Sequence, residues 1–107
     1  MNRIIKIGDK EVGVSINALT PKLYHETFHK NFFDELQNIT TNIEALKEIT
    51  YVMARRYEAE SPDKIQASVA DYMAWLEDFN MFDFELAGAE IAELIGAQSQ
   101  VTVSPKG

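Results

Sequence analysis

The sequence contains no cysteine among its 107 residues. This absence excludes a disulfide framework and every metal site that is built on thiolate ligands. It is also the cysteine usage expected in a reducing compartment, and we therefore predict that the protein stays in the cytoplasm.

The sequence also lacks a long apolar run and a cluster of basic residues. No segment approaches the roughly 18 consecutive apolar residues of a membrane-spanning helix, and residues 1–6 are too short and too interrupted for a signal peptide. Ten Lys and Arg stand against 17 Asp and Glu, for a formal net charge of −7. Because nucleic acids and anionic lipids attract clustered cations, we predict neither as a partner.

The length and composition are those of one folded domain. Hydrophobic residues make up 46% and charged residues 25% of the chain, a balance typical of globular proteins and not of disordered ones. We therefore predict a single domain over residues 1–97. Residues 98–107 carry no helical stripe, and we interpret them as a flexible tail.

Residues 1–17 predict a β-hairpin. Two β-branched, partly alternating runs flank the turn sequence Gly8-Asp9, which is a strong short-range signal for a hairpin. In such a hairpin Val12, Val14 and Ile16 would share one face. An isolated hairpin is marginal in water, so this one must pack on the helices or on another chain.

Residues 20–97 show the three- and four-residue spacing of amphipathic helices. Thr20-Pro21 and Ser61-Pro62 each predict a helix start, because proline at the first helical position removes no needed donor. We expect a break near His29-Lys30-Asn31, and a last helix that begins near residues 80–83 and ends around Gly96. The predicted fold class is therefore mainly α, with a short N-terminal β-hairpin followed by a bundle of about four to five helices. The apolar stripes run from Leu23 to Leu36, Ile43 to Tyr57, Ile65 to Phe79 and Phe84 to Ile95.

One catalytic motif is present. The segment His25-Glu26-Thr27-Phe28-His29 is a literal H-E-x-x-H, in which two histidines on one helical face bind zinc and the glutamate acts as general base. A zinc peptidase also needs a third protein ligand and an open position for water, and the sequence identifies neither.

The surroundings of this motif differ from those of a zinc-binding helix. The motif lies in the first turns after Pro21, and the polar pair Lys30-Asn31 follows it where apolar residues are usual. We interpret His25 and His29 as polar surface residues. We accordingly predict no catalytic residue, no metal and no cofactor.

Adjacent bulky residues at two places cannot all face one core. Neighbours in a helix point to different faces, so part of each group is either exposed as a protein-contact patch or buried where helices cross. A charge-rich surface beside such a patch suits a protein that keeps sticky clients soluble. The candidate interaction residues are Phe32, Phe33, Trp75, Met81, Phe82 and Phe84.

Five short motifs follow one another along the chain. They are carried by Gly8, Asp9, Val12 and Gly13; Thr20, Pro21, Lys22, Tyr24 and Phe28; Tyr51, Val52, Met53 and Ala54; Trp75, Leu76 and Phe79; and Met81 and Phe82. This order, which extends to about Ile95, resembles the tail assembly chaperones of long-tailed phages and prophages of Gram-positive bacteria. The family often has Gly and Asp where this chain has His29 and Asn31.

The resemblance implies a protein made during virion assembly that binds the tape measure protein, keeps it soluble and helps recruit tail tube subunits. It also implies self-association and absence from the mature virion. Binding would use apolar helix contacts that are weak singly and strong in an array. Two alternatives stay open: a small zinc peptidase with ligands His25 and His29 and base Glu26, and a structural phage tail protein retained in the particle.

Overall fold

The computed structural model describes the backbone of residues 1–103 and the side chains of residues 1–97. Within these residues an antiparallel pair of strands precedes five α-helices, so the predicted fold class is confirmed. A single turn of 3-10 helix, Pro62–Lys64, lies between α3 and α4. The elements are β1 (Asn2–Ile7), β2 (Lys10–Ser15), α1 (Thr20–Phe28), α2 (Phe32–Leu36), α3 (Ile43–Glu58), α4 (Val69–Leu76) and α5 (Asp83–Val103).

The hairpin forms at the predicted turn. Ile7 pairs with Lys10, so Gly8 and Asp9 alone connect the two strands. Gly8 has a φ of +64°, a conformation that glycine adopts without the steric cost that a Cβ would bring. The buried or half-buried apolar residues of the hairpin segment are Ile5, Ile7, Val12, Val14 and Ile16.

The central element is α3, which contacts β2, α1, α4 and α5. Its start is fixed by Asn42, whose side chain accepts a hydrogen bond from the Ala45 amide at 3.3 Å and so satisfies a free helix N–H group. All residues from 48 to 54 are buried. This run is nearly two turns long, so the middle of α3 is covered on every side. The apolar stripe from Ile43 to Tyr57 predicts this helix, and the prediction is confirmed. The buried surface of the helix is wider than that single stripe.

The first two helices are separated where the sequence predicts a break. Thr20-Pro21 begins α1. His29 ends it with a φ of +59° while its amide donates to the His25 carbonyl at 2.8 Å. This left-handed residue is a common helix end. Asn31 then begins α2 by accepting a hydrogen bond from the Asp34 amide at 3.0 Å.

The helix predicted from Ile65 to Phe79 is shorter in the structure. The prediction that Ser61-Pro62 begins it is wrong, because the Ser61 hydroxyl donates to the Asp63 carboxylate at 2.5 Å and Pro62 starts only the 3-10 turn. The effective cap is Ser68, which accepts a hydrogen bond from the Asp71 amide at 3.0 Å. The helical part is therefore α4 alone.

The last helix begins within the predicted interval but does not end around Gly96. It continues to Val103, since one interior glycine costs only about 1 kcal/mol of helix stability. The flexible tail is predicted over residues 98–107. The side chains of these residues, and the backbone of residues 104–107, lie outside the described part of the chain. Among the described residues no helix is long and apolar enough to cross a membrane.

The core contains a continuous cluster of aromatic rings that joins all five helices. Neighbouring ring centroids in this cluster lie from 4.9 Å apart, for Trp75 and Phe79, to 6.2 Å apart, for Phe28 and Tyr51. All of these pairs are tilted or edge-to-face, which is the arrangement that aromatic quadrupoles favour. The members are Tyr24, Phe28, Phe32, Tyr51, Tyr72, Trp75, Phe79 and Phe84.

Candidate protein-binding surface

The H-E-x-x-H segment does not have the geometry of a zinc-binding helix. His25 and Glu26 lie on α1, but His29 follows the helix in the left-handed conformation, which turns its Cβ away from the helical direction. All three residues are exposed, and Glu26 is paired with Lys22 at 3.2 Å. Among the side chains that are described, no group of three His, Cys, Asp or Glu is placed to hold a metal ion.

A buried carboxylate lies instead at the corner between α1, α2 and α3. Glu48 is only 7% exposed. It accepts a hydrogen bond from the Tyr24 hydroxyl at 2.7 Å and is paired with Lys30 at 3.0 Å. Burial, followed by the hydrogen bond to Glu48, raises the pKa of Tyr24, so this hydroxyl is a neutral donor at pH 7. Because each charge has a partner, we interpret this cluster as structural.

A second polar cluster joins α4 to α3. The Tyr51 hydroxyl donates to Asp71 at 2.6 Å and accepts from the Ser68 amide at 3.1 Å. The Arg55 guanidinium donates to the same carboxylate at 2.7 Å. The hydrogen bond from Tyr51, with that from Arg55, lowers the pKa of Asp71.

These groups border a polar cavity of about 330 Å³. Its cations are already paired, Arg55 with Glu58 and Asp71, and Lys64 with Glu60 at 3.2 Å. The charges at the cavity are therefore already paired, and the contact of Arg55 with Asp71 holds α3 and α4 together.

The structure separates the six predicted interaction residues into two groups. Phe32 and Phe84 are buried in the aromatic cluster, and Trp75 is half-buried in it. Burial removes Phe32 and Phe84 from the predicted interaction surface. The exposed members are Phe33, Met81 and Phe82, with 60%, 80% and 61% of their surface accessible.

Sequence reasoning missed Leu86, which is 83% exposed. Leu86 follows Phe82 by four residues and precedes Ala89 by three, so the three side chains share one face of the helix. Phe82 is in phase with α5, because its carbonyl accepts the Leu86 amide at 3.1 Å. We name Phe82, Leu86 and Ala89 the apolar ridge. The side chains of α5 that face the core are Phe84, Ala87, Ile91, Leu94 and Ile95.

The apolar ridge lies on the side of α5 opposite to its core face. Successive helical residues are rotated by about 100°, which sets Phe82, Leu86 and Ala89 roughly across the helix axis from Phe84 and Ile91. A polar surface is normal there. The 82–86–89 spacing was readable from the sequence, but the stronger stripe of core residues in the same helix obscured it.

A groove runs beside the apolar ridge. It is a cavity of about 440 Å³ between α5 and the segment that leads into α3. A Cβ added at Gly88 would lie 3.5 Å from Leu46, which is an ordinary contact, so packing does not require glycine there. The absence of a side chain at Gly88 keeps the groove open. The lining residues are Ile39, Thr40, Thr41, Ile43, Leu46, Glu85, Gly88, Ala89 and Ala92.

Carboxylates border this surface. Between residues 65 and 105 the chain has seven Asp and Glu and no Lys or Arg. Glu85 lines the groove, and Glu93 is exposed one turn beyond Ala89. Lys47, next to the groove residue Leu46, is paired with Glu44 at 3.5 Å. The carboxylates nearest to the ridge and groove thus favour a cationic partner over an anionic one.

Comparison of the chain with protein-family models, with curated proteins and with solved structures finds no match. The fold and the surface thus define a class: a mainly helical protein with an N-terminal hairpin, whose last helix exposes an apolar face framed by carboxylates.

Proposed function

We propose that the protein is a phage tail assembly chaperone, which binds the tape measure protein, keeps it soluble and helps recruit tail tube subunits. The observation that carries the proposal is the apolar ridge beside its open groove. Contiguous apolar surface of this kind is typical of protein contacts. The motif order that resembles the tail assembly chaperones supports the same function.

The spacing of the apolar ridge suits a helical client. Two helices pack through apolar residues that are three and four positions apart on each of them, and the ridge side chains, from Phe82 into α5, have that spacing. Contacts of this size are weak individually, but many copies along one long client would bind strongly together. Self-association of the copies on the client belongs to the proposal for this reason.

The ridge is separate from the core. Phe82 and Leu86 are exposed, whereas Phe84 is buried in the aromatic cluster against Trp75 and Phe79. Replacing a ridge residue should therefore leave the fold intact, because exposed substitutions normally change stability by less than about 0.5 kcal/mol. Binding and folding can be tested independently.

The experiment is co-expression with the neighbouring tape measure protein, comparing its soluble fraction with and without this chain. We expect the wild-type protein to raise that fraction. Phe82→Asp and Leu86→Asp should abolish most of the increase, because a charge on the ridge opposes burial against the client. Met73→Asp is the matched control, since Met73 is a 62% exposed apolar residue of α4.

Three results would contradict the proposal. The first is an unchanged soluble fraction with wild-type protein, and the second is full activity of both ridge variants. The third is stoichiometric zinc in the purified protein together with peptidase activity lost in Glu26→Gln, which would favour the zinc peptidase. Location is tested on purified virions, because the chaperone should be absent from them and a structural tail protein present.

A further inference from the structure

We infer that the groove beside the apolar ridge receives an amphipathic helix whose apolar stripe is flanked by lysine and arginine. This inference rests on the proposed function in one respect, that the client is a protein helix. It adds the chemistry by which the client is selected.

The walls of the groove favour a helix over an extended peptide. One wall is α5. The other wall is formed by the turn that precedes α3, residues 39–41, and by the first residues of α3. The amides of residues 38 and 39 donate to carbonyls of α2, and those of Thr41 and Asn42 donate to the Asn38 carbonyl. A peptide that binds by strand addition needs a free strand edge, and a polyproline segment needs a groove lined by aromatic residues. The described lining of the groove offers neither.

The floor of the groove allows close approach of a second backbone. Gly88, Ala89 and Ala92 present little or no side chain on α5, and Ile43 and Leu46 form the apolar wall opposite. Helices that meet through small residues can pack at the short end of the usual interaxial distances. Medium-sized apolar side chains of a client helix would therefore fit between the two walls.

The charge of the surroundings selects the flanks of that helix. Glu85 lies in the groove wall, and Glu93 is exposed on α5 one turn beyond the groove residue Ala89. Cations on the client would pair with these carboxylates and would speed encounter.

The same charges argue against other occupants. A second copy of α5 would bring its own carboxylates to the groove, because residues 65–105 contain no Lys or Arg. Nucleic acid and anionic membranes carry the wrong sign. A cationic amphipathic helix of another protein is the occupant that agrees with both shape and charge.

The test uses two labelled synthetic peptides of about 18 residues, or five helical turns. Both carry the same leucine and alanine stripe, and they differ only in lysine or glutamate flanks. Fluorescence anisotropy with the full-length protein should show the lysine peptide binding about tenfold or more tightly than the glutamate peptide at low salt. Added salt should reduce the difference, since exposed charges are screened.

Two pairs of variants locate the binding. Gly88→Leu fills the groove and should weaken binding of the lysine peptide about tenfold, whereas Ala74→Leu adds bulk on α4 and should not. The double variant Glu85→Lys with Glu93→Lys should reverse the preference between peptides. Its control, Glu77→Lys with Asp78→Lys, changes the net charge equally at exposed positions after α4 and should keep the preference.

Several outcomes overturn the inference. Two of them are equal binding of the two peptides and no binding of the lysine peptide. The third is a dimer, observed by sedimentation, that the Gly88→Leu substitution dissociates, because this result would assign the groove to a second copy of the chain. If the protein solubilises the tape measure protein but does not distinguish the two peptides, this inference is rejected and the proposed function is kept. Selective peptide binding without solubilisation keeps the inference and rejects the tape measure protein as client.

Discussion

At the scale of single residues, Glu48 is a buried charge whose unfavourable burial is offset by its bonding partners. Burial of a carboxylate costs free energy, which is offset only when the charge is paired and hydrogen-bonded. The hydroxyl of Tyr24 and the ammonium of Lys30 supply that compensation, from α1 and from the residue that follows its end. These two bonds, together with the aromatic contact between Phe28 and Tyr51, therefore fix α1 on α3.

Tyr24→Phe removes one of these bonds without changing the ring. We expect the free energy of unfolding to fall by about 1.5–3 kcal/mol, the usual value of a hydrogen bond to a charged group. Urea denaturation measures this change. Tyr57→Phe is the control, because Tyr57 is exposed and should change stability by less than about 0.5 kcal/mol. If Tyr24→Phe and Glu48→Gln were additive in a double-mutant cycle, the assigned interaction would be refuted.

Asp71 makes the stability of the folded protein depend on pH in the acidic range. Its pKa is lowered in the folded state, first by the hydrogen bond from Tyr51. The unfolded chain therefore takes up this proton at a higher pH than the folded one. The stabilisation is fully present above the ordinary pKa of 3.8 and is lost as the pH falls below it.

Asp71→Asn should reduce that acid dependence. The variant should be less stable than the wild type at neutral pH, and the difference should shrink as the pH falls below about 4. Urea midpoints measured across this range compare the two proteins. Asp63→Asn is the control at an exposed carboxylate outside the cluster. A difference that stays constant with pH would exclude titration of Asp71 as its cause.

At the scale of elements, the sequence predicts best where local signals at both ends agree. The hairpin has its own turn and α3 has its own capping residue, and both occur as predicted. α1 also begins at Thr20-Pro21 as predicted, but the Thr20 hydroxyl accepts the Asn17 amide at 3.1 Å and does not cap the helix. The sequence predicts the start of α4 wrongly, because both Ser61 and Ser68 are possible capping residues. Ser68 forms the cap and Ser61 bonds to Asp63, a choice that depends on the surrounding fold and not on local spacing.

The contact between the hairpin turn and α5 could not be predicted from either element. A Cβ at Gly8 would collide with the Asp83 carboxylate. That carboxylate also accepts the Asn80 amide at 2.8 Å at the start of α5. Gly8 is therefore constrained twice, by its positive φ and by the helix that packs against the turn.

Gly8→Ala should destabilise the protein by about 1–2 kcal/mol from backbone strain alone, and the contact with Asp83 should add to that loss. Thermal unfolding followed by circular dichroism measures the effect. The matched control is Gly96→Ala, where nothing lies within 4 Å of the added Cβ; it should stabilise α5 by about 1 kcal/mol. Equal effects of the two substitutions would contradict the assigned role of the turn.

At the scale of the whole molecule, the candidate surface combines segments that are distant in the chain. Phe82 could be proposed from adjacent bulky residues, but the groove joins residues 39–46 to residues 85–92. No local pattern places these segments side by side. The excess of carboxylates around the surface is readable from the sequence, but its meaning depends on knowing which residues line the groove.

The aromatic core also makes the whole molecule sensitive to alkali. Burial is the main cause that raises the pKa of Tyr24, Tyr51 and Tyr72 above the ordinary value of 10.0. The hydroxyl of Tyr72 has no hydrogen-bond partner among the described residues. The neutral form of all three is therefore favoured in the folded state. Above pH 10 the unfolded chain releases these protons and the folded chain retains them, so stability falls as the pH rises.

We expect these three tyrosines to ionise together with unfolding, in one cooperative step above pH 10. Tyrosinate absorbance and circular dichroism should change in parallel during an alkaline titration. Tyr72→Phe removes one of the protons and the unpaired hydroxyl, so its unfolding should move to higher pH. Gradual ionisation of all the tyrosines near pH 10 with the helices intact would mean that the aromatic cluster admits water, and it would contradict the closed core described above.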